Sequence, residues 1–136
     1  MVEIDIEYEG DLHCQALHGP SGSRLATDAP ADNQGRGEAF SPTDLLATSL
    51  GTCMMTTMGI YARRKEIDLR GSRVRVLKEM VADPHRRVGK LTVTFVLPGH
   101  IPEGQRGALE AAAHTCPVHR SLHPDVQKEV VFRYGA

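Results

Sequence analysis

Tryptophan is absent, and aromatic residues make up only 4% of the 136 positions. A platform for stacking nucleic-acid bases needs more aromatic surface than that. No sign of charge predominates either: with histidine neutral the net charge is −1. That balance excludes binding to nucleic acid through a strong positive field, and it excludes a polybasic membrane surface. Cysteines are few, at positions 14, 53 and 116. They form no CxxC pair and no dense disulfide scaffold, so a small secreted stapled fold is not expected. The opening MVEIDIEYEG has no basic segment followed by an apolar run. It therefore reads as lacking a secretory leader, and a cytoplasmic location is expected, where thiols start reduced.

What is present suits one globular domain over 1–136. Hydrophobic residues make up 40% and charged residues 24%. A chain of this size can bury about 68% of its unfolded surface. Residues 2–8 alternate, with Ile4, Ile6 and Tyr8 on one face and Glu3, Asp5 and Glu7 on the other, which predicts a half-buried strand. Gly10 and Asp11 mark a turn. Leu12, Cys14 and Ala16 then alternate, predicting a second strand and a hairpin. Arg24–Thr27 reads as a short third strand, and 28–40 as a surface loop rich in turn formers.

The strongest local signal follows, SPTDLLATSLGTCMMTTMGIYARRK. Ser41 suits a helix N-cap, Pro42 the first helical position, and Asp44 the third member of a capping box. From Leu45 to Ala62 no residue is charged. A membrane span is one reading of such a run. Its four Thr, one Ser and two Gly instead predict the buried central helix of a soluble protein. Strands are predicted over 69–81, 88–97 and 127–134. A second helix is predicted after Pro102, with Leu109, Ala112, Ala113 and Cys116 as its apolar stripe. Hairpins dominate this order, with no regular βαβ alternation, so the expected class is α+β with antiparallel sheet.

Two cysteines lie on predicted helices. Cys53 falls on a stripe with Leu46, Ser49, Leu50, Thr57 and Ile60, and Cys116 ends the stripe of the second helix. Each fits either a buried core position or a reactive thiol. The mid-helix site of Cys53 is far from the helix N-terminus, so electrostatic activation there would have to come from a cation such as arginine. Cys14 is assigned to the core. Met54, Met55 and Met58 suit core filling or the lining of an apolar pocket. His114, Cys116, His119 and His123 also allow a zinc reading, although Pro117 and Pro124 interrupt regular ligand geometry.

The segments SPTDLLATSLGTC and TCPVHRSL, with TDAPADNQGRGEAF before them, resemble the OsmC/Ohr family, that of osmotically inducible protein C and the organic hydroperoxide resistance proteins. The similarity runs essentially end to end. It implies an intertwined homodimer, with antiparallel sheets wrapped around central helices and active sites near the subunit interface. It also implies a peroxiredoxin-like thiol peroxidase acting on organic hydroperoxides in the oxidative stress response. By motif, Cys53 matches the peroxidatic cysteine and Cys116 the resolving one, and a dithiol, such as a lipoylated protein, would reduce the resulting disulfide. No metal, flavin or haem cofactor is implied. Family members also carry an arginine in an N-terminal turn, paired with a glutamate directly after the helix proline. Here Thr43 stands at that glutamate position, and GDLHCQ holds no arginine. Asp44 lies nine residues before Cys53, about half a turn around the helix, and reads as a cap. Arg24 and Arg36, with Glu38 as acidic partner, are the candidate replacements. The alternative function is a non-catalytic protein that binds a small apolar ligand at the dimer interface.

Overall fold

The structure is a computed structural model and describes residues 1–135. Contacts divide the chain into two compact units, Met1–Leu46 and Ala47–Ala136.

The first unit is built on a three-stranded antiparallel sheet in the order β1 (Ile4–Gly10), β2 (His13–His18), β3 (Arg24–Asp28). Asp11 and Leu12 form the first hairpin turn with φ of 53° and 59°. Both lie in the left-handed region that such two-residue turns require. Leu12 therefore belongs to the turn, and β2 starts one residue later than the alternation suggests. The register places Ile6 opposite Ala16, and Ala16 opposite Leu25. Tyr8 opposes Cys14, and Cys14 opposes Thr27. One face of the sheet is consequently apolar, yet β1 is exposed along nearly its whole length. After β3 the chain makes a short 3-10 turn at Ala31–Asn33. Gly35 packs so closely on the Ala29 carbonyl that any Cβ would collide with it.

The helix α1 (Pro42–Arg64) begins in the first unit and continues into the second. Its start is the expected capping box. The Asp44 N–H donates to Ser41 Oγ at 3.1 Å, and the Ser41 N–H donates to Asp44 Oδ2 at 3.0 Å. Arg63 and Arg64 occupy the last turn, where the helix dipole favours positive charge.

In the second unit the strands β4 (Arg73–Val81), β5 (Arg87–Leu97) and β6 (Gln127–Tyr134) form a sheet in that order. β5 and β6 are parallel, so this sheet is mixed and not wholly antiparallel. The connection over 98–126, with α2 (Glu103–Ala113) and α3 (Pro117–Ser121), supplies the long crossover that a parallel pair requires. That βαβ unit is invisible to residue alternation, because alternation reports a strand's exposure and not its neighbour's direction.

Leu91, Val93, Phe95 and Leu97 of β5 point into the core. Phe95 stacks on Phe132 of β6 with ring centroids 5.0 Å apart. Leu50, Met54, Met58 and Ala62 of α1 join the same core. At Gly51 the helix approaches so closely that an added Cβ would lie 2.7 Å from Val76 Cγ2. The buried stripe is displaced from the predicted one: Leu46 is exposed and Ile60 is 52% exposed. Buried residues of α1 thus recur along one face, and the remaining uncharged faces are open in the single chain. By length and composition alone α1 is also apolar enough to cross a membrane.

Candidate functional site

Cys53 and Cys116 meet in the second unit. Cys53 projects from the middle of α1, half-buried, and packs against the core. Cys116 is fully buried, at 0% exposure. The two side chains are close enough for Cys53 to act on the Cys116 thiol, and both are free thiols.

Cys116 does not end α2, as its helical spacing suggests. α2 stops at Ala113, and Cys116 is instead the N-cap residue of α3, with φ −65° and ψ 138°. Pro117 is the cause, since its ring disfavours helical geometry in the residue before it. The Cys116 sulfur takes the capping role and accepts the His119 N–H at 3.2 Å. Burial pushes the Cys116 thiol above its ordinary pKa. The His119 N–H opposes that shift, Cys53 adds to it, and the Val118 N–H also opposes it. At rest, Cys116 is therefore held as a thiol.

A family model described as OsmC-like protein matches residues 35–130, a span that includes both cysteines. The chain belongs to the OsmC/Ohr family. A protein of Psychrobacter arcticus 273-4, provisionally assigned to an osmotic stress induced and detoxification response, is 45% identical. Its structure superposes with a TM-score of 0.92, over 98% of this chain and 96% of that one. The organic hydroperoxide resistance protein OsmC of Legionella pneumophila shares the fold at 18% identity and TM-score 0.74, covering 98% of this chain and 96% of its own. OhrB of Bacillus subtilis shares it at 14% identity and TM-score 0.70, covering 98% of each chain. A search of curated protein sequences returns no match.

Other groups of this OsmC-like chain surround the second cysteine. The His114 and His119 rings meet edge to face at 5.7 Å, and His114 contacts the Phe132 ring at 6.1 Å. Burial holds His119 below its ordinary pKa, and Lys128 and His114 reinforce that. The zinc reading of His114, Cys116, His119 and His123 has no geometric support. Among the described residues no group of three or more His, Cys, Asp or Glu is placed to hold a metal ion. His123 Nδ1 accepts the Asp125 N–H at 3.0 Å instead. Met54 and Met58 are fully buried core residues, and Met55 packs only partly against that core.

The candidate supporting residues all lie in the first unit. Arg24 is exposed at the start of β3 and lines a shallow concavity with Asp5, Glu7 and Gln15. Arg36 is exposed and exerts a favourable charge effect on Asp28. Glu38 contributes its backbone, donating its N–H to Asp28 Oδ2 at 3.1 Å. Cys14 is half-buried, and not the core residue expected, because its sheet face is uncovered in the single chain. At the position after the helix proline, Thr43 Oγ1 lies 3.3 Å from Ser41 Oγ, within the N-terminal cap of α1.

The organising polar pair of this unit was not evident in the sequence. His13 Nδ1 lies 2.6 Å from Asp28 Oδ1, and Asp28 is only 2% exposed. The His13 hydrogen bond, opposed by burial, holds the Asp28 carboxyl below its ordinary pKa. The sequence signal was a polar cross-strand pair, since His13 and Asp28 are register partners. It becomes legible only once the β2–β3 register is known.

Proposed function

We propose that this OsmC-like protein is a cytoplasmic thiol peroxidase that reduces organic hydroperoxides. The placing of Cys53 beside the buried Cys116 carries this reading, and membership of the OsmC/Ohr family supports it. Cys53 is the partly accessible sulfur and takes the nucleophilic role. Its thiolate attacks one peroxide oxygen, the O–O bond breaks, and the alkoxide takes up a proton and leaves as the alcohol. Cys53 is then a sulfenic acid. Cys116 attacks that sulfur, the S–O bond breaks, water leaves, and the disulfide forms. A dithiol then supplies two electrons and restores both thiols. The sum is hydroperoxide plus dithiol giving alcohol, water and a disulfide of the dithiol.

A homodimer is part of this proposal. Ile4, Ile6, Tyr8 and Leu25 expose one apolar sheet face in the single chain, and Leu77 and Val81 of β4 are exposed as well. Exposed apolar side chains sharing one sheet face, as Ile4, Ile6, Tyr8 and Leu25 do, are characteristic of association.

Thiol titration before and after one equivalent of cumene hydroperoxide tests the chemistry. Of three cysteines, the wild type is expected to lose two, and peptide mapping to show a Cys53–Cys116 disulfide. Cys53→Ser should lose none, and its turnover should fall by about 10³-fold or more. Thiols that stay unchanged in excess peroxide overturn the proposal and leave an apolar-ligand binder as the function.

A further inference from the structure

The two sulfurs of the candidate site are not equivalent, and the difference decides how their disulfide is opened. Cys116 has no exposed surface, whereas Cys53 is only half-buried. Cys116 is also the sulfur with a backbone donor, since it caps α3 and accepts the His119 N–H at 3.2 Å.

Resting on the peroxidase reading for its place in the cycle, we infer that the reducing dithiol attacks Cys53, and that Cys116 departs as the thiolate, received by the His119 backbone N–H in α3. The step balances. The incoming thiolate bonds to Cys53 Sγ, the Cys53–Cys116 bond breaks, and its electron pair goes to Cys116 Sγ. The second thiol of the reductant, once deprotonated, attacks the reductant sulfur bonded to Cys53. Cys53 is released as thiolate, the reductant leaves as a disulfide, and its two protons return both cysteines to thiols.

Two physical effects favour this direction. Thiol–disulfide exchange requires the nucleophile to reach one sulfur on the side opposite its partner. A fully buried sulfur offers no such approach, while a half-exposed one does. The second effect is charge. A departing thiolate leaves faster when it is stabilised, and hydrogen bonds from backbone N–H groups to an anion are among the stronger ones. Part of what raises the Cys116 pKa at rest is neighbouring Cys53. The His119 N–H works against that rise and is in place when Cys116 accepts the electron pair. His119, held neutral by its burial, supplies no positive charge of its own, so the backbone carries the stabilisation.

The consequence is a division of labour. Cys53 would be the sulfur that meets both outside reactants, hydroperoxide and reductant. Cys116 would never bond to a molecule from outside.

The test uses wild-type protein oxidised with diamide, which forms the disulfide whether or not hydroperoxide turnover occurs. A monothiol, 2-mercaptoethanol, is added for a short time. The mixture is then quenched in acid, free thiols are alkylated, and peptides are mapped by mass. The expected result is mercaptoethanol on Cys53 and alkyl label on Cys116, in about tenfold excess over the reverse arrangement. Adduct mainly on Cys116, or shared equally, overturns the inference, as does failure of diamide to join the two cysteines. If diamide-oxidised protein gives the expected adduct but hydroperoxide never oxidises the thiols, the peroxidase reading fails and the order of attack stands. A second measurement compares single-cysteine chains. Cys53 in Cys116→Ser should react with 5,5′-dithiobis(2-nitrobenzoate) at least about tenfold faster than Cys116 in Cys53→Ser. Equal rates would overturn the accessibility difference.

Discussion

Residues 1–46 and the rest of the chain are stabilised by different physics. In the first unit only Asp28 and Ser41 are buried, at 2% and 1% exposure, and both are polar. Hydrogen bonds define it: the two hairpins, the His13–Asp28 pair and the Ser41–Asp44 box. In the second unit the buried residues are apolar or glycine apart from Cys116, and Phe95, Leu91, Val93, Leu50 and Met54 interdigitate. A three-stranded sheet with one open apolar face has little to offset the entropy of ordering it. The second unit has a packed apolar core that offsets the entropy of its own ordering. The comparison teaches that the candidate site stands on the packed part, since both Cys53 and Cys116 belong to it.

Substitutions in the two regions should therefore differ in scale. Phe95→Ala removes a ring with no exposure that stacks on Phe132. It should cost about 3–5 kcal/mol in urea unfolding. A loss below about 1 kcal/mol would mean that the core repacks freely, and the contrast would weaken.

Gly51→Ala is the next largest. Its methyl would meet Val76 Cγ2 at 2.7 Å, so β4 or α1 must shift. Overpacking of this kind costs about 1–3 kcal/mol, partly offset by the better helix propensity of alanine. Thermal unfolding of the variant decides between these effects, and an unchanged midpoint would show that the helix can move away at no cost.

In the first unit the sharpest test is acid. The His13 hydrogen bond holds the Asp28 carboxyl below its ordinary value of 3.8. The unfolded chain therefore takes up a proton first as pH falls. The contribution of Asp28 is complete above 3.8 and is lost as pH drops from there through the lower folded value. His13→Gln should flatten that acid limb in pH-dependent unfolding. An identical acid limb in the variant would remove the pair from the account of this unit.

Ile6→Ala should have the smallest effect. Its side chain is 68% exposed in the single chain, so dilute monomer should change by less than about 0.5 kcal/mol. The informative condition is higher concentration. If the sheet face is covered by a second copy, the same substitution should weaken association in sedimentation velocity. A large destabilisation even in dilute monomer would mean that the face is covered within the chain.

The parts of the fold that were legible in the sequence share one property: each is specified by neighbouring residues. The capping box at Ser41 and Asp44 is a three-residue relation, and it is present as expected. The alternation of Leu91, Val93, Phe95 and Leu97 announced β5 and its buried face. The spacing of Pro42 and Cys53 and the Cys116–Arg120 segment marked the family before any coordinate. Where local pattern misled, another part of the chain intervened. Helical spacing continued through Cys116, but the ring of Pro117 ended it, and the sulfur became a cap. The predicted stripe of α1 included Leu46 and Ile60, yet the core selected the Leu50, Met54 and Met58 side, because Gly51 lets the helix seat against β4 there.

Sequence alone determined most of the elements, the helix start and the two candidate cysteines, since propensity, capping and motif are properties of short segments. Tertiary structure decided the rest. It chose the parallel partner of β5, it paired His13 with Asp28, and it set a fully buried sulfur against a half-buried one. Each of these depends on which distant segments meet. No local pattern carries that information, because register and burial arise when the chain closes on itself.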